Sequence, residues 1–359
     1  MWPDTRLTKL IGIEHPIVLA PMAGAMDYEL VTAVSEAGGL GSLPCAMLTA
    51  QTLRDQFAKI RAMTGKPVNV NFFCHTAPVP NNAREARWRD KLGPYYEELG
   101  IDPSTPVPSS NRAPFDATFC EVVEELEPEV VSFHFGLPEA SLLERVKAAG
   151  AIVVGSATVA AEAVWLEQHG ADVVIAQGYE AGGHRGMFLT DDVAAQVGTF
   201  ALVPQVVDAV KVPVIAAGGI ADARGIAAAF ALGAAGVQIG TAFLHCPEAK
   251  ISPTHRAALK SAGDAGTTLT NLMTGRPARG IVNRIMREMG PICEAPAFPL
   301  AAGALAPLRA KAEAAGSGDF SPMWSGQAAA LGVAMPAGAL TRKLAAAAQA
   351  ELARLAGAR

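Results

Sequence analysis

Val173-Val174-Ile175-Ala176-Gln177-Gly178-Tyr179-Glu180-Ala181-Gly182-Gly183-His184-Arg185-Gly186 is the stretch on which the reading of the fold turns. Its first four residues are apolar and read as a buried strand, with Gln177 at the carboxyl end and His184 carried on the glycine-rich loop that follows. In α/β proteins functional groups collect at that end of the strands. Gly182, Gly183 and Gly186 let the backbone approach a flat ligand closely. An imidazole there can serve as base or hydrogen-bond donor near neutral pH. A tight turn with a solvent-facing histidine would look the same in isolation, so the rest of the chain has to decide.

Working outward, apolar runs alternate with helical stretches. Strands are predicted at 17–20, 40–43, 68–72, 130–133, 152–155, 173–176, 214–217 and 237–239, eight in all, with helices near 29–37, 51–63, 139–149 and 160–169. Gly38, Gly150, Gly170 and Gly233 stand just past helical runs, where a left-handed C-cap belongs. Two units also repeat, each a helix ending in Gly-Ala and then a Val- and Ile-rich strand with a glutamine. This pattern predicts an α/β TIM (β/α)8 barrel. Two stretches break the alternation and are expected to form a smaller α-rich substrate or cap domain over the carboxyl face: 75–114, rich in Pro, Asn and Arg, and 245–320, with mixed helix and turns. Segments 1–74, 115–244 and 321–359 are then the barrel.

With a net charge of −5, no basic block and few aromatics among 359 residues, the chain carries no electrostatic footprint for nucleic acid, which leaves small molecules as partners. Its five cysteines form no CxxC pair, which argues against a zinc site or disulfide framework and for a reducing cytoplasm. The amino-terminal MWPDTRLTKLIGIEHP does not read as a signal peptide. Residues 225–244 run without a formal charge, but Gln238 and the glycines within them point to a helix stopped by Gly233 and then a short strand rather than a membrane span.

Several further motifs carry polar chemistry. Ala217-Gly218-Gly219-Ile220-Ala221-Asp222 follows the seventh strand and opens a helix that Asp222 can cap, and Gly240-Thr241 follows the eighth. Barrels often bind phosphate between these two loops. Neither offers a lysine, so amides and a threonine hydroxyl would have to hold a phosphate such as that of FMN. Ordinary turns needing small residues would also explain the glycines. At the end of the first strand, Ala20-Pro21-Met22 can meet a flat ring with backbone groups and the Met22 thioether. Asn69 and Asn71 alternate with apolar residues and are expected to face the barrel interior or its mouth, where a pyrimidine edge could partner them. Gln177 could serve the same edge. His134, at the end of the fourth strand, reads equally as a backbone-bound structural residue or a substrate contact. His15, His75, His169, His245 and His255 have weaker contexts and are left out of the site. Met323-Trp324-Ser325-Gly326-Gln327 could cap a ligand or start the last helix.

Taken together, APMAG, SFHFGLP, AQGxEAGGHRG, PVIAAGGIAD, GVQIGTAF, TGRPARG and WSGQ resemble the nitronate monooxygenase family over most of residues 10–330. The resemblance implies an FMN-bound barrel that oxidises alkyl nitronates with O2 to carbonyl compounds and nitrite. By motif, Ala20, Pro21, Met22, Asn71 and Gln177 would meet the isoalloxazine. Gly182, Gly183, Gly218, Gly219, Gln238, Gly240 and Thr241 would hold the ribityl phosphate, while Ser325, Gly326 and Gln327 would approach the flavin. His184 matches the catalytic histidine and His134 a substrate-binding one; no metal is implied. Better-known bacterial members carry several pocket tyrosines, whereas this chain has Tyr28, Tyr95, Tyr96 and Tyr179 alone. Two other functions suit the same fold: an NAD(P)H-dependent FMN reductase of quinones or enoyl thioesters, and a flavin-free phosphate-ligand isomerase or binding protein.

Overall fold

The computed structural model describes residues 1–108 and 112–357. Residues 109–111 of the expected cap segment 75–114, and 358–359 of the expected barrel segment 321–359, lie outside the described residues. Among the described residues eight strands make one parallel sheet: β1 (Ile17–Leu19), β2 (Gly41–Pro44), β3 (Val68–Phe73), β4 (Val130–His134), β5 (Ile152–Ala157), β6 (Val173–Gln177), β7 (Val214–Ala217) and β8 (Gly236–Ile239). Their order is β1-β8-β7-β6-β5-β4-β3-β2, and a parallel bridge between Val18 and Leu40 brings the two edges together. Helices follow the strands on the outside, and the last, Ala337–Leu355, packs against Ala223–Ala231 and Tyr28–Glu36 to complete the ring. This is the predicted TIM barrel.

Alternation within the strands separates two cores. Val18, Val130, Val154, Val173, Ile175 and Ile215 join Leu7 and Ile11 of the helix Arg6–Ile11 in one cluster at the barrel centre. Their neighbours Ile17, Leu19, Val131, Val153, Val174 and Val214 pack into the larger core with the helices. A period of two is what a strand buried on both faces requires. Gly38, Gly150, Gly170 and Gly233 all hold the left-handed conformation expected of them. Asp222 caps its helix, accepting from the Arg224 and Gly225 amides at 3.0 and 3.2 Å. The charge-free stretch 225–244 is divided as predicted into the end of a helix, Gly233 and β8, and no described helix is long and apolar enough to cross a membrane.

A further core lies outside the barrel. Trp88, Leu92 and Tyr96 of the helix Asn82–Glu98 pack with Leu272, Ile285, Leu305, Leu308 and Phe320. Trp88 Nε1 donates to the Ala301 carbonyl at 3.1 Å and the Tyr96 hydroxyl to that of Ala304 at 2.6 Å, so each buried ring keeps a partner for its polar edge. The helices here were anticipated, but a small antiparallel sheet was not: Thr267–Thr270 pairs with Ala278–Ile281, which pairs in turn with Gly183–His184. Two residues of the long β6 loop thus become an edge strand of the outer unit.

Candidate active site

His184 therefore has a fixed backbone, opposite Ala278 in the small sheet. Its carbonyl accepts from Gln177 Nε2 at 3.0 Å and from His134 Nε2 at 3.1 Å. A carbonyl only accepts, so His134 carries its proton on Nε2. The Gln177 amide oxygen accepts from the Gly186 N–H at 2.8 Å, which clips the loop on both sides of Arg185 to the end of β6. Gly186 has no room for a side chain, because a Cβ would lie 2.9 Å from His134 Cε1.

The His184 ring lies among Phe73, Phe135, Phe298 and Trp324, with centroids 6.0, 6.1, 5.3 and 5.5 Å away. Its Nε2 is 2.9 Å from Thr274 Oγ1, and that hydroxyl donates onward to the Arg276 carbonyl at 3.4 Å. Thr274 is then left to accept from His184 Nε2–H. Burial, followed by Arg112, His134, Arg276 and His75, holds the His184 pKa well below the usual imidazole value. Among the described residues none of the groups that shift it is a carboxylate. Burial likewise takes His134 and His75 down to about 4. The result is a cluster of neutral imidazoles under the field of two guanidiniums. The Arg276 guanidinium stacks over the Phe135 ring at 4.1 Å and donates to the Met187 carbonyl, while its Nε is buried without a partner among the described residues.

The other expected site residues meet around the same mouth. Ala20 Cβ and the Met22 thioether face Gly240, 3.3 and 3.7 Å from where a Cβ would stand. Asn71 donates to the Ser132 hydroxyl at 2.9 Å, as Asn69 does, so both asparagines are buried inside the barrel as their alternation predicts. Gly218 and Gly219 have φ of +108° and +71°, which favours glycine at both. Gly182 packs back to back with the 325–327 loop; a Cβ there would lie 2.5 Å from the Gly326 nitrogen. Gly183, with φ +72°, has nothing within 4 Å of its missing Cβ. Thr241 Oγ1 accepts from the Gly326 N–H at 2.9 Å, which leaves its own proton to donate. Gln238 Oε1 is buried with no partner among the described residues.

Some expected groups are occupied within the protein. Both ends of the Gln177 amide hold the His184 loop rather than facing outward. The Gln327 N–H donates to the Glu180 carbonyl at 3.0 Å, the Ser325 N–H to that of Arg279 at 3.3 Å, and the Ser325 hydroxyl to that of Gly326 at 3.1 Å. The first of these ties the carboxyl-terminal loop to the glycine-rich one, the second ties it to the strand Ala278–Ile281, and the third stays within the loop. Sequence reading left out His75, which stacks edge-on against Phe298 at 4.8 Å, and His255, whose Nε2 lies 3.0 Å from the Trp324 carbonyl and so braces that ring. It assigned no role to Thr274 or Arg276, although TGRPARG contains both. Two of the chain's four tyrosines, Tyr95 and Tyr96, belong to the outer core, and the walls around His184 are phenylalanine and tryptophan.

A cavity of about 690 Å³ bounded by His245, Arg256, Leu259, Gly332 and Met335 lies away from this cluster, and none of the residues just described lines it.

The family model for nitronate monooxygenase matches residues 4–346. A nitronate monooxygenase of Pseudomonas aeruginosa is 42% identical over 342 residues, covering 94% of this chain and 97% of that protein. Among solved structures, nitroalkane oxidase from Streptomyces ansochromogenes superposes with a TM-score of 0.88 at 38% identity, covering 98% of this chain and 99% of that one. FabK from Thermotoga maritima superposes with a TM-score of 0.74 at 30% identity, covering 98% of each chain.

Proposed function

The chain belongs to the nitronate monooxygenase family, and on that premise we propose that it oxidises alkyl nitronates with O2 to carbonyl compounds and nitrite, using FMN bound at the barrel mouth. The observation that carries this reading is the setting of His184, a half-buried imidazole that desolvation and the charges of Arg112 and Arg276 keep neutral, with no carboxylate among the described groups that shift it. A nitronate is a small anion. Such a pocket attracts it electrostatically and orients it through fixed donors.

The residues at the mouth fit a flavin. An orphaned Gln238 Oε1, open space beside Gly183 and a Thr241 hydroxyl with its proton free are what a bound polar ligand would complete. Ala20, Pro21, Met22 and Asn71 would line the ring system, Gln238 would offer its oxygen, and Gly218, Gly219, Gly240 and Thr241 would hold the phosphate by amides and one hydroxyl. Gln177, Gly182, Ser325, Gly326 and Gln327 would shape the site by holding the loops in place. When bound, the flavin supplies one-electron redox chemistry.

His184 contributes position and polarity. Being neutral, it offers an N–H without adding a titrating charge, and it acts as general base only for a substrate that arrives as the neutral nitroalkane. Phe73, Phe135, Phe298 and Trp324 limit the access of water to it. His134, its Nε2–H fixed on the His184 carbonyl, sets the loop and reaches substrate only through Nδ1. We assign 75–114 and 245–320 to the substrate cap, since the second core draws its helices from both. The five unpaired cysteines support a reducing, cytoplasmic setting.

The test is turnover of propyl-2-nitronate by the FMN-loaded protein, read as O2 uptake and nitrite release in step. NADH oxidation by a quinone without nitrite release from the nitronate would instead identify a reductase.

A further inference from the structure

Behind the His184 loop lies a polar chain with no part in the reading above. Arg185 and Glu162 are both wholly buried and do not touch. Two side chains join them, and donation runs one way. Arg185 Nε–H donates to Gln196 Oε1 at 2.9 Å, Gln196 Nε2–H to Thr158 Oγ1 at 3.0 Å, and the Thr158 hydroxyl to Glu162 Oε2 at 2.7 Å. The rest of each charge is satisfied by backbone. Arg185 Nη1 and Nη2 donate to the Gly178 and Gln177 carbonyls at 2.6 and 2.7 Å. Glu162 accepts from the Thr158 amide at 2.6 Å and from those of Phe188 and Leu189 at 2.7 and 3.3 Å.

A guanidinium and a carboxylate taken wholly out of water are strongly unfavourable unless every donor and acceptor is answered, so such a chain is rigid when complete and costly when cut. Its anchor points are informative. Arg185 grips the start of the loop at 177–178, Glu162 grips its end at 188–189, and His184 lies between, next to Arg185 in sequence. Neither charged group touches the His184 ring.

We propose that Arg185 and Glu162, coupled through Gln196 and Thr158, are positioning residues that hold the His184 imidazole in its working place at the barrel mouth. This deepens the reading above and rests on His184 being the group that meets substrate. Cutting the chain should release the loop while leaving the barrel intact.

The mildest cut is Thr158→Val, which is nearly isosteric and leaves both charges in place; Thr158→Ser keeps the hydroxyl. Two readouts are needed: steady-state turnover of propyl-2-nitronate, and hydrogen–deuterium exchange over residues 183–189 in the unliganded protein. Thr158→Val should lower kcat about tenfold with KM within about twofold, since displaced catalytic groups chiefly cost rate, and should speed exchange over 183–189. Thr158→Ser should restore both. Combining Thr158→Val with Glu162→Gln should cost no more than the worse single change, because both break one chain. Should Thr158→Val not fold, Gln196→Met at the half-buried link carries the same expectation. Wild-type kcat and exchange in a folded Thr158→Val protein would overturn the proposal. Faster exchange with unchanged kcat would leave the clamp standing and overturn the role of His184 on which its purpose rests.

Discussion

The two walls that meet at His184 are built by different rules. On the barrel side each candidate position stands at or near the carboxyl end of a strand: Ala20 after β1, Asn71 late in β3, His134 closing β4, Gln177 closing β6, Gly218 after β7 and Gly240 after β8. The sheet register alone brings them together. On the outer side Thr274, Arg276, Phe298 and Trp324 reach the same imidazole from loops far along the chain, held by the second core and the small antiparallel sheet. On the proposed reading, the barrel sets where the site lies and the outer unit sets how polar and how dry it is. Barrel scaffolds serve many chemistries by exchanging the second part while keeping the first.

That division can be broken in order of expected effect. Acid should act on both walls at once. Burial holds His134, His75 and His255 down to about 4, against 6.5 when unperturbed. Between those values the unfolded chain binds more protons than the folded one, so stability rises with pH across the window and is lost as pH falls from about 6.5 to about 4. At pH 5 the three together should cost on the order of 5 kcal/mol, visible as a falling Tm; a flat Tm over that range would mean that the imidazoles are hydrated.

His184→Asn, at the seam between the walls, should lower kcat by about a hundredfold while the cofactor stays bound. Unchanged turnover would remove the imidazole from the chemistry. Arg276→Gln removes charge from the outer wall alone, and should raise KM for the anionic nitronate about tenfold, or ~1.4 kcal/mol, with a smaller change in kcat. An equal loss for a neutral nitroalkane would show that the guanidinium packs the pocket rather than attracting the anion. Thr274→Val takes away only the hydrogen bond to His184 Nε2, so kcat should fall about fivefold, near 1 kcal/mol, with little change in KM.

The same division explains what was legible in the sequence. Strand and helix positions came through because their signals are local: runs such as Val173 to Ala176, glycines just past helices, and Asp222 before a helix. Asn69 and Asn71 were placed inside the barrel by alternation alone. Gln177 was harder, since the end of a strand says that its amide is near the site but not that the loop's own backbone takes both ends of it. The pairing of Gly183–His184 with Ala278–Arg279 joins segments far apart along the chain, and two residues carry no strand signature of their own. His75 was passed over because its value comes from Phe298 and Arg112 beside it, which no spacing reveals. TGRPARG did contain a usable hint, Thr274 and Arg276 on a turn with Arg279 on the strand that follows, but without the fold nothing said which of them would face His184.

The most direct measurement is the visible absorbance spectrum of the purified protein and of His184→Asn, each with and without added FMN. If a glycine-rich mouth holds the flavin while His184 serves the substrate, both proteins will be yellow with resolved flavin bands at about one equivalent per chain. A protein that stays colourless and takes up no FMN would contradict the account, and so would a variant that loses its flavin together with the imidazole.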